Sequence, residues 1–184
     1  MARDLDASLP TVVDLPDGSF ELRPDPRTVR QTKRVLGYYA VVSTGFSAAL
    51  VVWALTQPRI PWLYALLPLV VSISIDLFAW YVIKPPVLTA DAVEVRSIAP
   101  LTNRRMRRLD LVLILRGQVL VRSRHPTWEK TYLFVARDGK IGIQAPAPAF
   151  LPDGVAEFAR RLGVPLRGDF GDKVKGTVDL SKTT

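Results

Sequence analysis

Two apolar runs dominate the hydropathy pattern: "VLGYYAVVSTGFSAALVVWALT" from Val35 to Thr56 and "PWLYALLPLVVSISIDLFAWYVI" from Pro61 to Ile83. Each has about the twenty residues that a helix rising 1.5 Å per residue needs to cross a hydrocarbon layer about 30 Å thick. The interval "QPRI" is too short for anything but a tight turn, so the pattern predicts an antiparallel helical hairpin over residues 35–84, with helices at 35–56 and 61–83. Pro58 suits the end of the first helix, and Pro61 is tolerated in the first turn of the second.

After "KPP" at residues 84–86 the period changes from helical to alternating. "PVLT" and "AVEVRSI" flank a turn at "AD", "LVLILR" and "QVLVRS" are separated by Gly117, and "TYLFVA" and "KIGIQ" flank "RDG". Six strands in three hairpins follow from this punctuation. Their predicted core positions are Val93, Val95, Leu113, Leu115, Val119, Val121, Tyr132, Phe134, Ile141 and Ile143, which alternate with more polar neighbours. A helix is expected at 152–163, with Val155, Phe158, Ala159 and Leu162 at helical spacing, Asp153 available as a cap and Gly163 closing the end. Residues 85–166 therefore form the soluble domain, 1–34 an N-terminal tail and 167–184 a flexible C-terminal tail. Within the first tail, "TVVDL" and "SFELR" around the turn "PDG" either join the β domain or make a separate small hairpin.

Charge adds orientation. The net charge of +8 comes from 25 Lys and Arg against 17 Asp and Glu, concentrated beside the apolar runs. Arg23, Arg27, Arg30, Lys33 and Arg34 precede the first span and Lys84 and Arg96 follow the second, against Arg59 alone in the loop. This asymmetry places both termini on the cytoplasmic side of a multi-pass membrane protein. Tyr38, Tyr39, Trp80 and Tyr81 mark the inner interface, and Trp53, Trp62 and Tyr64 the outer one. The first thirty residues are polar and mixed in charge, so no cleaved signal peptide is expected.

The chemistry on offer is sparse. Cysteine is absent and His125 is the lone histidine, so there is no disulfide framework and no Cys- or multi-His metal site. No phosphate-binding GxxxxGK loop, nucleophile elbow or HExxH motif occurs. A non-enzymatic protein without cofactors is expected, and the basic residues, explained by membrane flanks, do not call for nucleic acid.

Asp76 stands out, because counting back from Ile83 places it roughly 10 Å inside the hydrocarbon. An ionised carboxylate there costs at least about 2.5–3.5 kcal/mol, so the side chain should be neutral, paired or facing protein. At the same depth the first helix offers Ser43, Thr44, Gly45 and Ser47, and Ser72 lies one turn before Asp76. Gly45 and Ala49 form a small-xxx-small pair that would let the backbones approach, with hydroxyls satisfying Asp76. The readings open to Asp76 are packing within the hairpin or between protomers, contact with a larger membrane partner carrying a basic residue, and a proton or ion path through oligomerised hairpins.

"VLTADAVEVRSI" as an opening hairpin, "MRRLDLVLILRG" leading into the middle strands and "DGVAEFARRLGVPL" as a closing helix resemble bacterial pleckstrin-homology-like membrane proteins with an N-terminal two-helix transmembrane hairpin. The resemblance covers about residues 35 to 166. It implies a bent antiparallel sheet or partly open barrel capped by the C-terminal helix, and a binding or assembly module without enzymatic activity. The densest basic cluster, Arg104, Arg105, Arg107 and Arg108 with Arg96 nearby, reads as a loop for anionic headgroups or an acidic protein partner, since guanidinium pairs with phosphate or carboxylate. A merely solvated loop is the remaining alternative. Arg122, Arg124, Trp128 and Lys130 form a secondary basic and aromatic patch. The function expected is a scaffold or accessory subunit of a membrane assembly, with a tethered reader of anionic lipid or an oligomeric transport component as alternatives. The partners are membrane lipids and a protein partner or a second copy through the hairpin.

Overall fold

The computed structural model describes residues 11–57, 61–121, 126–175 and 177–180, with the backbone alone at Trp62. It resolves into two compact units, one formed by Val29–Lys84 and the other by the segments on either side of it.

In the helical unit, α1 runs from Pro26 to Leu55, starting nine residues before the predicted span. Asp25 explains the early start, because its Oδ1 accepts the backbone N–H of Arg27 at 2.9 Å and so satisfies a first-turn donor. The second apolar run breaks at Leu66 into α2, Trp62–Ala65, and α3, Leu67–Val82, with Pro68 in the first turn of α3. Both runs are long and apolar enough to cross a membrane, and only 11% of each apolar window is buried. Residues such as Val41, Phe46, Trp53, Leu77 and Phe78 are exposed, which separates these helices from the core helices of a soluble fold. The predicted turn with Pro58 and Arg59 lies outside the described residues.

In the other unit, a five-stranded antiparallel sheet runs in the order β1 (Val12–Asp14), β2 (Phe20–Leu22), β3 (Val87–Ala90), β4 (Glu94–Ala99), β5 (Thr102–Arg107). The first two strands therefore join the β domain, which settles the alternative left open for residues 11–23. A second sheet is built on β6 (Leu111–Val121), β7 (Thr127–Ala136) and β8 (Ile141–Pro146), all antiparallel. Two short strands, β9 (Leu166–Arg167) and β10 (Lys173–Val174), run parallel to β6. The sheets meet where Met106 of β5 lies against Gly142 of β8, but no ladder joins these strands and the barrel is not closed.

Three expectations change here. Gly117 is not a turn: β6 continues through it for 11 residues. Its missing side chain serves a close approach instead, since a Cβ there would lie 3.0 Å from Val174 Cγ2 and 3.3 Å from the Asp172 carbonyl. The described part of the predicted flexible tail, 167–175 and 177–180, is not simply flexible, because Gln118 donates its backbone N–H to Asp172 O (2.7 Å) and its side-chain amide to Phe170 O (2.6 Å), while 176 and 181–184 lie outside the described residues. The β domain thus extends well past residue 166. Finally, the cluster "TNRRMR" is strand β5 rather than a loop.

The tail accounts for a pattern that alternation alone does not. "LVLIL" and "YLFV" are apolar on both faces, as strands covered on both sides are. Ile114, Tyr132 and Phe134 face the main core, while Leu113, Leu115, Leu133 and Val135 face a second cluster roofed by Val174, Val178 and Leu180. Of the predicted core, Val93 is instead 69% exposed at the tip of the β3–β4 turn, and Val121 is exposed at the end of β6.

Helix α4 (Pro152–Leu162) closes the main core. Phe158 is fully buried and meets Phe20 edge-on at 5.2 Å and Phe134 at 6.4 Å, so one side chain bridges both sheets. Gly163 ends the helix in the left-handed conformation, at φ 74°. Asp153 stays in the first turn and makes no capping bond; Pro152 occupies the first helical position. On the outer side Glu157 accepts from Arg160 and Arg161, and Arg161 also pairs with Asp14 of β1. Those two guanidinium partners hold the Glu157 carboxyl down, from 4.5 to about 2. A depressed carboxylate stabilises the fold above its unfolded pKa, and that contribution fades as pH falls from about 4.5 toward 2. In acid titrations of thermal stability, Glu157→Gln is expected to lose less stability than wild type across that interval. Parallel curves would show that the cluster does not contribute.

Candidate functional site

The helical unit places Asp76 against the hydroxyl stripe of α1. Ser43 Oγ donates to Asp76 Oδ2 at 2.7 Å and Thr44 Oγ1 donates to the same oxygen at 3.3 Å. Ser43 Oγ also lies 3.2 Å from the Ala40 carbonyl, but its single proton is better placed for the nearer carboxylate. No hydrogen bond reaches Asp76 Oδ1 from the described residues, and the side chain is half-buried. Ser72 Oγ is buried without a partner, so the polar stripe holds more hydrogen-bonding capacity than the two helices use between them.

The buried face of α1 differs from the one expected. Ser47, Val51 and Ala54 are its buried residues, whereas Gly45 is exposed, with open space where a Cβ would be. Gly45 is therefore no point of close backbone approach between the helices. Ser43 and Ser47 are one turn apart and Val51 one turn further, so the contact follows the i, i+4 row that starts from the hydroxyl bonding Asp76. Gly45 falls outside that row.

In the β unit the basic cluster divides into residues already engaged and residues left over. Arg96 Nε bonds Glu94, and its Nη2 lies 3.3 Å from Asp91. Asp91 is held in place by the backbone N–H groups of Glu94 and Val93, each at 2.7 Å, which keep its carboxyl below the ordinary value. Arg108 turns away from the cluster: its Nη2 donates to the carbonyls of Arg161 (3.0 Å) and Leu162 (3.4 Å), and its Nη1 to Asp91 O (3.4 Å). A cation there satisfies carbonyls that the last turn of α4 leaves open and sits at the negative end of the helix dipole.

Arg104, Arg105 and Arg107 remain exposed on β5, and none makes an ion pair or hydrogen bond among the described residues. The ladder pairs Arg105 with Arg96 and Arg107 with Glu94. Like charges directly opposite each other are unfavourable, and Arg96 is tolerable there because two carboxylates neutralise it. Three guanidinium groups on one strand can take phosphate or carboxylate oxygens from outside the fold.

The secondary patch is reorganised by the C-terminal segment. Trp128, on β7 opposite Leu120, has the amines of Lys173 and Lys175 over its ring at 5.1 and 5.9 Å, and Lys130 lies 5.8 Å from the centre of Phe170. Those contacts occupy Trp128 and Lys130 within the fold. Arg122, Arg124 and His125 lie outside the described residues. The sequence carried a weak signal for the tail's role, the apolar spacing of Val174, Val178 and Leu180. Among the described residues no three His, Asp or Glu side chains converge to hold a metal ion. Compared with known proteins, the chain matches no family model, no curated protein and no solved structure.

Proposed function

We propose that this chain is a non-enzymatic membrane protein of the bacterial inner membrane, with both termini cytoplasmic, that serves as a scaffold or accessory subunit of a membrane assembly. In this reading α1 and the α2–α3 segment cross the bilayer, and the β domain, pleckstrin-homology-like in its bent sheets and closing helix, stands on the cytoplasmic side. The observation that carries the assembly role is Asp76: one carboxylate oxygen is held by Ser43 and Thr44, and the other has no partner among the described residues. In hydrocarbon such a group favours a donor from another helix. The full chain in mild detergent is expected to migrate as a complex larger than one copy, and Asp76→Leu to weaken that complex roughly 5- to 30-fold, from about 1–2 kcal/mol per intramembrane hydrogen bond. A wild-type monomer, or a complex indifferent to the substitution, overturns this role.

A second reading, in which the β domain rests on anionic lipid headgroups, is favoured by the three unengaged arginines of β5. Each basic residue near an anionic surface is worth about 1 kcal/mol. No observation favours transport: one carboxylate in a two-helix unit offers no relay.

A further inference from the structure

Within the β unit, the strand ends that lead into and out of the helical spans share one end of the first sheet. Leu22, the last residue of β2 before α1, pairs with Leu88 near the start of β3, and Val87, the first residue of β3 after α3, pairs with Ile98 of β4. One pair beyond Ile98, Ala99 faces Thr102 across the two-residue turn Pro100–Leu101. The tip of that turn is thus level with Pro85, and only Ile83 and Lys84 separate Pro85 from Val82 at the end of α3. At 3.3–3.6 Å per residue, the connecting chain spans at most about 11 Å.

That turn is built unlike a solvated hairpin loop. Leu101 is 64% exposed at its tip, Ile98 is 45% exposed beside it, and Arg104 and Arg105 follow within four residues without partners among the described residues. An apolar tip backed by free guanidinium groups matches the layering of a bilayer surface, with acyl chains below and phosphates above. The opposite end of the sheet, with the β3–β4 turn and Leu109, sets Asp91, Glu94 and Asp110 beside the single unengaged Arg107 and is the less suited to anionic lipid.

We propose that the β4–β5 turn is a membrane-docking element: Leu101 enters the headgroup boundary of an anionic bilayer while Arg104 and Arg105 bind lipid phosphates, fixing the β domain against the membrane. The proposal rests on the lipid reading of β5 and on the helices being in the bilayer. The cysteine-free chain allows single, unambiguous labels. Three variants of the full chain, Leu101→Cys, Leu109→Cys and Val71→Cys, would carry an environment-sensitive fluorophore. They would be reconstituted into vesicles of phosphatidylcholine with or without phosphatidylglycerol, containing lipid-borne quenchers. The label at position 101 is expected to be quenched several-fold more than that at 109 in the anionic vesicles. High salt, or Arg104→Ala with Arg105→Ala, should remove most of that difference. Quenching at 101 no greater than at 109 overturns the proposal, and a difference indifferent to salt and to the arginines overturns its phosphate-binding half. Strong quenching at 71 in either case keeps the membrane reading intact, whereas its absence shows that the membrane reading itself has failed.

Discussion

Phe158→Ala is expected to cost about 3–5 kcal/mol and to lower the Tm of the β domain by roughly 10–25 °C. Phe158 is the side chain through which α4 touches both sheets, edge-on to Phe20 in one and Phe134 in the other, with no exposed surface. Because β5 and β8 are not joined, no strand can close over the space its ring would leave. Truncation therefore removes apolar burial and leaves a cavity whose walls belong to separate sheets. Circular dichroism of the full chain during heating gives the comparison, with Leu109→Ala as control. Leu109 is 85% exposed, and its truncation should stay within about 0.5 kcal/mol of wild type. A Phe158→Ala protein that melts within a few degrees of wild type would mean that α4 packs on the sheets without holding them together.

Arg108→Ala is expected to destabilise the β domain by about 1.5–3 kcal/mol, whereas Arg105→Ala, three residues away, should leave stability within about 0.5 kcal/mol. The difference follows from what each guanidinium touches. Arg108 donates to two carbonyls in the last turn of α4 and to the Asp91 carbonyl beside the β3–β4 turn, so its loss leaves three acceptors short of a donor. The Arg105 side chain is exposed and makes no ion pair or hydrogen bond among the described residues, so its truncation removes mainly a charge. Lys at position 108 keeps the charge but lacks the planar fork that reaches separate carbonyls, so Arg108→Lys should recover only part of the loss. Denaturant unfolding of the three variants decides the matter. The reverse order, with Arg105→Ala the destabilised one, would exchange the structural and binding roles within the cluster.

Much of the architecture is legible in local pattern. The apolar runs at 35–56 and 61–83 state two helical stretches, because each has the length and, but for Asp76, the uncharged composition of a helix able to span a bilayer. The β3–β4 and β7–β8 hairpins and α4 follow from alternation, turn residues and helical spacing, all properties of neighbouring residues. Depth counting also brought Asp76 level with Ser43 and Thr44, since antiparallel helices of known rise have predictable registry. Which face of α1 turns inward is a question of rotation about the helix axis, and it depends on how both surfaces pack. The size of Gly45 suggests a close approach, but the row through Ser43, Ser47 and Val51 makes the contact.

What tertiary structure alone decided is how residues distant in sequence divide their work. The five arginines from 96 to 108 are chemically alike as letters. Asp91 and Glu94 engage Arg96, the end of α4 engages Arg108, and only Arg104, Arg105 and Arg107 are left for an external anion. Gly117 reads as a turn until the tail is laid across it, and the tail reads as flexible until the outer faces of Leu113, Leu115, Leu133 and Val135 require a cover. Local sequence determines period, turn chemistry and helix length because those act over a few residues. The engagement of Arg108 by the end of α4, and the covering of a second sheet face, depend on contacts some fifty residues apart along the chain, as between Arg108 and Arg161 or Gln118 and Phe170, and local pattern does not select those partners.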